Sequence, residues 1–265
     1  MSDDDRVVEF VTGSTARRQV LAAVTDGTGS TAAFLDRVSA SESAVYGALA
    51  ELEDRELIRK VRGDEWEPTG TGAVVSELIA EQRRTESVLR ADPEYWQTHD
   101  ATVLPKLFRT SLSALADADV VRATDTDPNR VVREVRRRIE SAESVDILAP
   151  IYHDEYVAAL RSGVDDGSAR LVLGTAVVDQ LSDTEGAYEE MPESIAVRIR
   201  PVSFALTVTD DCALLSLPRL DGSYDSRTEV IAESDAAREW SRWLFERYWT
   251  TATDPTDHVE SASPD

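Results

Sequence analysis

Residues 30–70, STAAFLDRVSASESAVYGALAELEDRELIRKVRGDEWEPTG, carry three consecutive patterns that few folds can satisfy together. A helix opening at Ser41 puts Val45, Ala48, Leu49 and Leu52 at i, i+3, i+4 and i+7, so one stripe is buried. Ser43, Tyr46 and Gly47 lie off that stripe and are free to touch a partner. Ahead of it, 32–38 is a shorter helical pattern with Phe34, Leu35 and Val38 apolar, joined by the tight link Ser39-Ala40-Ser41. Two short helices and a tight turn suit a helix-turn-helix. Behind it, 57–61 alternates like a strand, Arg62-Gly63-Asp64 turns, and 65–67 returns before Pro68. That hairpin reads as a wing.

The flanking segments complete a first domain. From Thr15 to Thr25, Val20, Leu21 and Val24 mark an apolar stripe beside Arg17-Arg18, and Asp26-Gly27 ends the helix. From Thr71 to Arg90, Val74, Val75, Leu78, Ile79 and Leu89 predict a long helix that either closes the domain or pairs with its copy in a homodimer, as palindromic half-sites demand. Asp92-Pro93 breaks it, so 1–91 is expected as a winged helix-turn-helix domain, 92–250 as a second domain that either senses a small molecule or mediates dimerisation, and 251–265 as a disordered acidic tail.

The second domain alternates strands and helices. A helix is expected to reach about Leu115, followed by a strand at 120–124 and a helix over 129–142 with Pro128 in its first turn. Strand 145–149, helix 154–161, strand 170–174 and helix 177–181 then imply a parallel sheet. Strands at 196–200, 204–209 and 212–217, separated by short turns, should end it antiparallel, with a further strand at 228–232 and a helix capped by Ser234 running to about Trp249. The fold class is thus α+β/α/β, a winged helix-turn-helix plus a mixed-sheet α/β domain.

Charge narrows the setting. The formal net charge is −23, acids outnumber bases 51 to 28, and Lys60 and Lys106 are the only lysines. Such a load suits a protein in molar intracellular salt, where repulsion is screened within roughly 3 Å, and points to a haloarchaeal, halophilic source; the alternative is an ordinary acidic protein with an acidic interaction surface. The acidity argues against an electrostatic DNA binder, but in molar salt counterion release contributes little and specificity falls to base contacts and groove fit. Cys212 is the sole cysteine, so no intramolecular disulfide or cysteine-based zinc site is available. No apolar run approaches the roughly 20 residues of a spanning helix, and the acidic start is unlike a signal peptide, so a cytoplasmic protein without membrane contact is expected.

The run VSASESAVYGALAELEDRELI with its hairpin resembles the DNA-binding domain of archaeal winged-helix transcription regulators. The stretches YWQTHDATVLPKLF, DILAPIYHDEY and 213–249 resemble the methanogen output domain, the carboxy-terminal module of such regulators. Together these likenesses imply a one-component regulator in which an α/β domain senses an effector and the winged helix binds double-stranded DNA. There is a more distant similarity to sugar-responsive, TrmB-like archaeal regulators with phospholipase-D-like sensor halves. A phospholipase-D site needs a lysine two residues after its histidine, whereas His153 is followed by Asp154, Glu155 and Tyr156.

Candidate DNA contacts are Ser41, Ser43 and Tyr46 on the recognition helix, with Arg17, Arg18, Arg59, Lys60 and Arg62 as phosphate partners; Asp64 and Glu65 should repel phosphate. For a ligand, open α/β sheets leave a crevice at the carboxyl ends of parallel strands, which nominates Tyr152, His153, Gly174 and Thr175 if their strands are neighbours. The competing reading makes them plain loop residues. His99-Asp100 lacks further metal ligands at recognisable spacing, and no nucleophile with base and acid can be assembled, so neither metal, cofactor nor enzymatic turnover is expected. Arg133, Arg136, Arg137 and Arg138 read first as a solvated helix face paired with glutamates. The Trp-rich last helix reads as core or dimer contact. The rival function is a winged-helix module that docks on proteins without reading DNA.

Overall fold

Four of the helices start where a hydroxyl side chain can accept a backbone N–H of the first turn. Ser14 accepts from Arg17, Ser30 from Ala33, Ser41 from Ala44 and Ser234 from Ala237. The structure is a computed structural model and describes residues 6–27, 29–163, 169–182 and 195–255; the tail expected at 251–265 falls mostly outside them. The chain forms two compact units, 1–84 and 85–265.

In the first unit, α1 (Val7–Thr12), α2 (Thr15–Thr25), α3 (Thr31–Arg37) and α4 (Glu42–Asp54) precede a hairpin of β1 (Ile58–Lys60) and β2 (Trp66–Pro68). The long helix α5 (Gly70–Ala91) follows and contains the boundary between the units. The hairpin is antiparallel, with Ile58 opposite Pro68 and Lys60 opposite Trp66, and Ser30 bridges to Glu65 beside it. Val20, Leu21, Phe34, Val45, Leu52, Leu57 and Trp66 share one core. Each fully buried side chain of this size contributes roughly 1.5–3 kcal/mol. Gly72 is required at the start of α5, since a Cβ there would sit 1.9 Å from the Leu57 carbonyl oxygen. The helix α1 was not anticipated from the sequence, where its six residues are too short to show a period.

In the second unit, α6 (Pro93–Thr98) and α7 (Lys106–Thr110) lead to β3 (Asp119–Arg122), α8 (Arg130–Glu140), β4 (Val145–Ala149), α9 (Asp154–Gly163), β5 (Ala169–Leu173) and α10 (Thr175–Ser182). Then come β6 (Ile195–Ile199), β7 (Ala205–Thr209), β8 (Ala213–Ser216), β9 (Thr228–Ala232) and α11 (Asp235–Trp249). The seven strands lie in the order β3-β9-β8-β7-β4-β5-β6, with β4, β5 and β6 parallel and the rest antiparallel. Leu148, Val172, Leu206, Leu215 and Val230 face α11, Tyr95 and Phe108 on one side of this sheet. Ile147, Leu171, Leu173, Leu214 and Ile231 face Val135, Ile139, Leu160 and Val177 on the other.

Three expectations are corrected. The helix expected to run to Leu115 stops at Thr110 and resumes as a 3-10 turn, Leu112–Leu115. Its hydroxyls explain the break: Thr110 and Ser111 donate to the carbonyls of Lys106 and Leu107, competing with the next turn of backbone bonds. Pro128 lies just ahead of α8, whose N-cap is Asn129. Most consequentially, the short link after β6 does not make a hairpin. β6 stays at the edge beside β5, while residues 200–204 cross the carboxyl ends of β5 and β4 to deliver β7 to the far side of β4. Burial accounts for the choice, because β7 is buried along nearly its whole length and β6 is mostly half-exposed.

Candidate functional site: an exposed helix face and an apolar pocket

On α4 the side chains divide as the spacing requires. Val45, Ala48, Leu49 and Leu52 are buried, whereas Ser41, Ser43 and Gly47 are exposed and Tyr46 is 53% exposed. Ser41 Oγ, which caps the helix, lies 3.3 Å from Ser43 Oγ. On the hairpin, Arg59 pairs with Glu67 across the strands, Lys60 Nζ lies 4.8 Å from the centre of the Trp66 ring, and Arg62 is exposed beside Gly63 at φ +56°. The tip is anchored: Thr31 donates its hydroxyl to Asp64 at 2.6 Å and accepts from Trp66 Nε1 at 3.1 Å. Asp64 is therefore a strut between hairpin and α3 as well as a charge beside Arg62. The two arginines of α2 sit differently from those of the wing. Arg17 reaches Glu51 of α4 at 2.6 Å and lies 4.0 Å from the centre of the Phe10 ring, with its side chain 19% exposed. Arg18 is half-buried, its Nε out of solvent and without a hydrogen-bond partner.

The pocket lies in the second unit. Strands β4 and β5 are neighbours and end together at Ala149 and Leu173. Gly174 donates its backbone N–H to Ala149 at 2.9 Å, and a Cβ at Gly174 would press within 3.3 Å of that oxygen. Beyond this junction is a cavity of about 60 Å³ with an apolar wall that includes Ile147, Ile151, Leu171 and Leu173. Tyr152 and His153 line it; Gly174 and Thr175 do not, the first supporting the strand ends and the second opening α10. Four further polar side chains line it that the sequence did not single out: Tyr156, Thr207, Tyr224 and Glu229. His153 stacks on Tyr156 with ring centres 4.4 Å apart, and its Nδ1 is buried with no hydrogen-bond partner.

Glu229 sets the chemistry of the cavity. It is 5% exposed on β9, facing the same way as Ile231. Burial, with a smaller push from Asp225, raises its carboxyl to about 8. Burial likewise pushes up the Tyr156 and Tyr224 hydroxyls, and the Glu229 charge adds to both. Asp225 itself behaves oppositely. Burial would raise it, but hydrogen bonds from Thr228, the Arg227 backbone, His99 and Arg219 draw it down to about 2. His99 Nε2 lies 3.0 Å from Asp225 and 3.2 Å from the Thr228 hydroxyl, while its ring stacks on Tyr95 with centres 4.1 Å apart. Asp100 turns away to cap the 3-10 turn Ala101–Val103, so these adjacent residues serve separate purposes. The arginines of α8 are engaged on the surface: Arg133 with Asp127, Arg136 with Glu140, Arg137 with Glu134, and Arg138 with Glu134 and Glu233.

Two family profiles match, one in each unit. Residues 128–251 match the middle domain of the methanogenesis regulatory protein FilR1, and residues 5–90 match the HVO_A0261 N-terminal domain. The match in the second unit is thus to a domain of a regulatory protein. Among curated proteins it is similar to methanogenesis regulatory protein FilR1 of Methanothrix harundinacea (strain 6Ac), 24% identical over 217 residues. That alignment takes in 78% of this chain and 48% of the relative, so the chain spans about half the length of the protein it matches. Solved structures similar to it include the archaeal chromatin protein TrmBL2, with TM-score 0.38, 18% identity, 95% of this chain covered and 100% of that one. Nuc, a phospholipase D family member from Salmonella typhimurium, aligns with TM-score 0.37 at 14% identity over 52% of this chain and 96% of its own.

Proposed function

We propose that this protein is a sequence-specific DNA-binding transcription regulator whose carboxy-terminal unit senses a small molecule and works without turnover, cofactor or metal. The observation that carries the reading is the division of α4: a buried stripe holds it to the core while Ser41, Ser43 and Tyr46 stand exposed from its first turns. Residues near the amino end of a recognition helix are those that reach base edges in the major groove. Arg59, Lys60 and Arg62 supply phosphate contacts from the wing; Arg17 and Arg18 contribute less, since Glu51 and burial hold them. The sensing half rests on the largely apolar pocket of Tyr152 and His153, with Gly174 supporting the strand ends beside it.

A net charge of −23 fits this role if the protein works in the salt-rich cytoplasm of a haloarchaeon. Pairing of two copies through α5, where Val74 and Leu78 stand exposed one turn apart, would match a palindromic operator. Genome-wide immunoprecipitation tests the reading: a compact palindromic motif supports it, whereas no enrichment favours the protein-docking module. A thermal-shift screen of metabolites in molar KCl tests sensing, because a ligand at about 100 times its Kd stabilises the unit that binds it by roughly 2.7 kcal/mol.

A further inference from the structure

We propose that the pocket beyond β4 takes a small organic cation, a compact alkylammonium ion held by the Glu229 carboxylate among tyrosine faces. This names the effector class for the sensing reading above and rests on it. Glu229 lines the cavity and is buried, and its carboxyl makes no hydrogen bond or ion pair with the described residues. Buried carboxyl groups in folded proteins ordinarily have such a partner. Among the described residues the lining contains no lysine or arginine, so an anionic ligand would meet the Glu229 carboxyl with neither to offset it. An ammonium ion would instead complete the ion pair that Glu229 lacks.

The neighbours favour the same sign of charge. Tyr152, Tyr156 and Tyr224 border the cavity, and aromatic faces attract cations within about 6 Å, most strongly when water is excluded. His153 Nδ1, buried and unpartnered, is a second polar atom available to an N–H of the ligand. Asp225, held ionised by its hydrogen bonds, adds negative potential at Glu229. The apolar remainder of the wall, with Ile147, Leu171 and Leu173, and a cavity of about 60 Å³ suit a short alkyl chain.

Binding should expel the proton that Glu229 carries below pH 8. The titratable groups that line the cavity with that carboxyl are Tyr156 from α9, Tyr152 and His153 from the loop after β4, and Tyr224 from the segment before β9; Asp225 and Tyr95, outside the lining, interact with it through their charge. Affinity should therefore rise by up to about tenfold per pH unit on approaching pH 8 from below. Calorimetry on the full chain with propylammonium, propan-1-ol and propionate separates the charge classes at nearly constant size. Propylammonium is expected to bind at least about tenfold tighter than the others, and to release close to one proton at pH 7 when buffers of different ionisation enthalpy are compared. Glu229→Gln should weaken it on the order of a hundredfold, and Tyr224→Leu by about tenfold, with thermal melts verifying that both variants fold. Equal binding of propan-1-ol, preference for propionate, undiminished binding to Glu229→Gln, or no binding of propyl-, trimethyl- or tetramethylammonium would each overturn the cation assignment. If a neutral or acidic metabolite then binds the pocket, sensing survives without the cation; if nothing in a broad metabolite screen binds, sensing falls as well.

Discussion

The two units place their candidate functional residues on opposite sides of the solvent boundary. In the winged helix the proposed contacts are what the core leaves over: Ser41, Ser43 and Tyr46 are exposed because Val45, Ala48, Leu49 and Leu52 are not. In the α/β unit the key group is inside, on a strand whose five residues are all buried. An exposed polar residue costs the fold nothing and can be chosen for its partner alone. A buried carboxyl such as Glu229 opposes folding, so its presence calls for an explanation in function. The two kinds of site should therefore respond to mutation in opposite ways.

The largest effect should come from Asp225, whose carboxylate is held by His99, Thr228, Arg219 and the Arg227 backbone. Asp225→Asn should destabilise the α/β unit by about 3–5 kcal/mol, read by urea unfolding with tryptophan fluorescence; a loss under about 1 kcal/mol would mean the network behaves like a surface pair. Acid should mimic the change. A carboxyl held near 2 against 3.8 when free contributes stability above pH 4, and that contribution drains away between about pH 4 and 2.

Glu229 should do the reverse. Its folded value near 8 exceeds the free value of 4.5, so the wild type loses stability as pH rises from about 4.5 to 8 and levels off beyond. Each pH unit between those two values is worth about 1.4 kcal/mol. Glu229→Gln should thus be more stable than wild type by a few kcal/mol at pH 9 and nearly equal at pH 4. A gain that does not grow with pH would show that the carboxyl is not what strains the sheet.

On the winged helix, stability should hardly move while binding does. Ser43→Ala with Tyr46→Ala should weaken operator binding by about 1–3 kcal/mol in a shift assay at high KCl, with the melting temperature nearly unchanged. Unaltered binding would remove α4 from the interface. Smallest of all, Arg62→Glu should weaken every sequence alike and lower the salt slope by about one; a changed sequence preference would mean that the wing reads bases.

The same contrast decides what the sequence could reveal. Amphipathic α4 and the Arg62-Gly63-Asp64 turn announce themselves, since one face of each meets water. The crevice at Tyr152 and His153 followed from strand order, because β4 and β5 are successive parallel strands. Glu229 did not, for a strand buried on both faces shows no alternation, and the face its carboxyl occupies depends on β8 and β3 beside it. A lone acid inside Thr228-Glu229-Val230-Ile231-Ala232 was the available signal. The 200–204 crossover escaped too: short links ordinarily join neighbours, and only the burial of both faces of β7 overrides that habit.

The pairing of β3 with β9 bears on how the protein is made. The earliest strand of the sheet is hydrogen-bonded only to the last, with Val120 opposite Val230 and Asp119 opposite Ile231. On a ribosome, β3 must wait for more than a hundred residues of chain before its partner emerges, whereas the winged helix gathers its core from neighbours close in sequence. Contacts of short sequence separation form fastest, and domains fold as units in order of synthesis. The first unit should be complete while the sheet that follows it is still an unclosed set of strands, so a chain interrupted before β9 would carry a finished winged helix attached to an unfinished, apolar remainder.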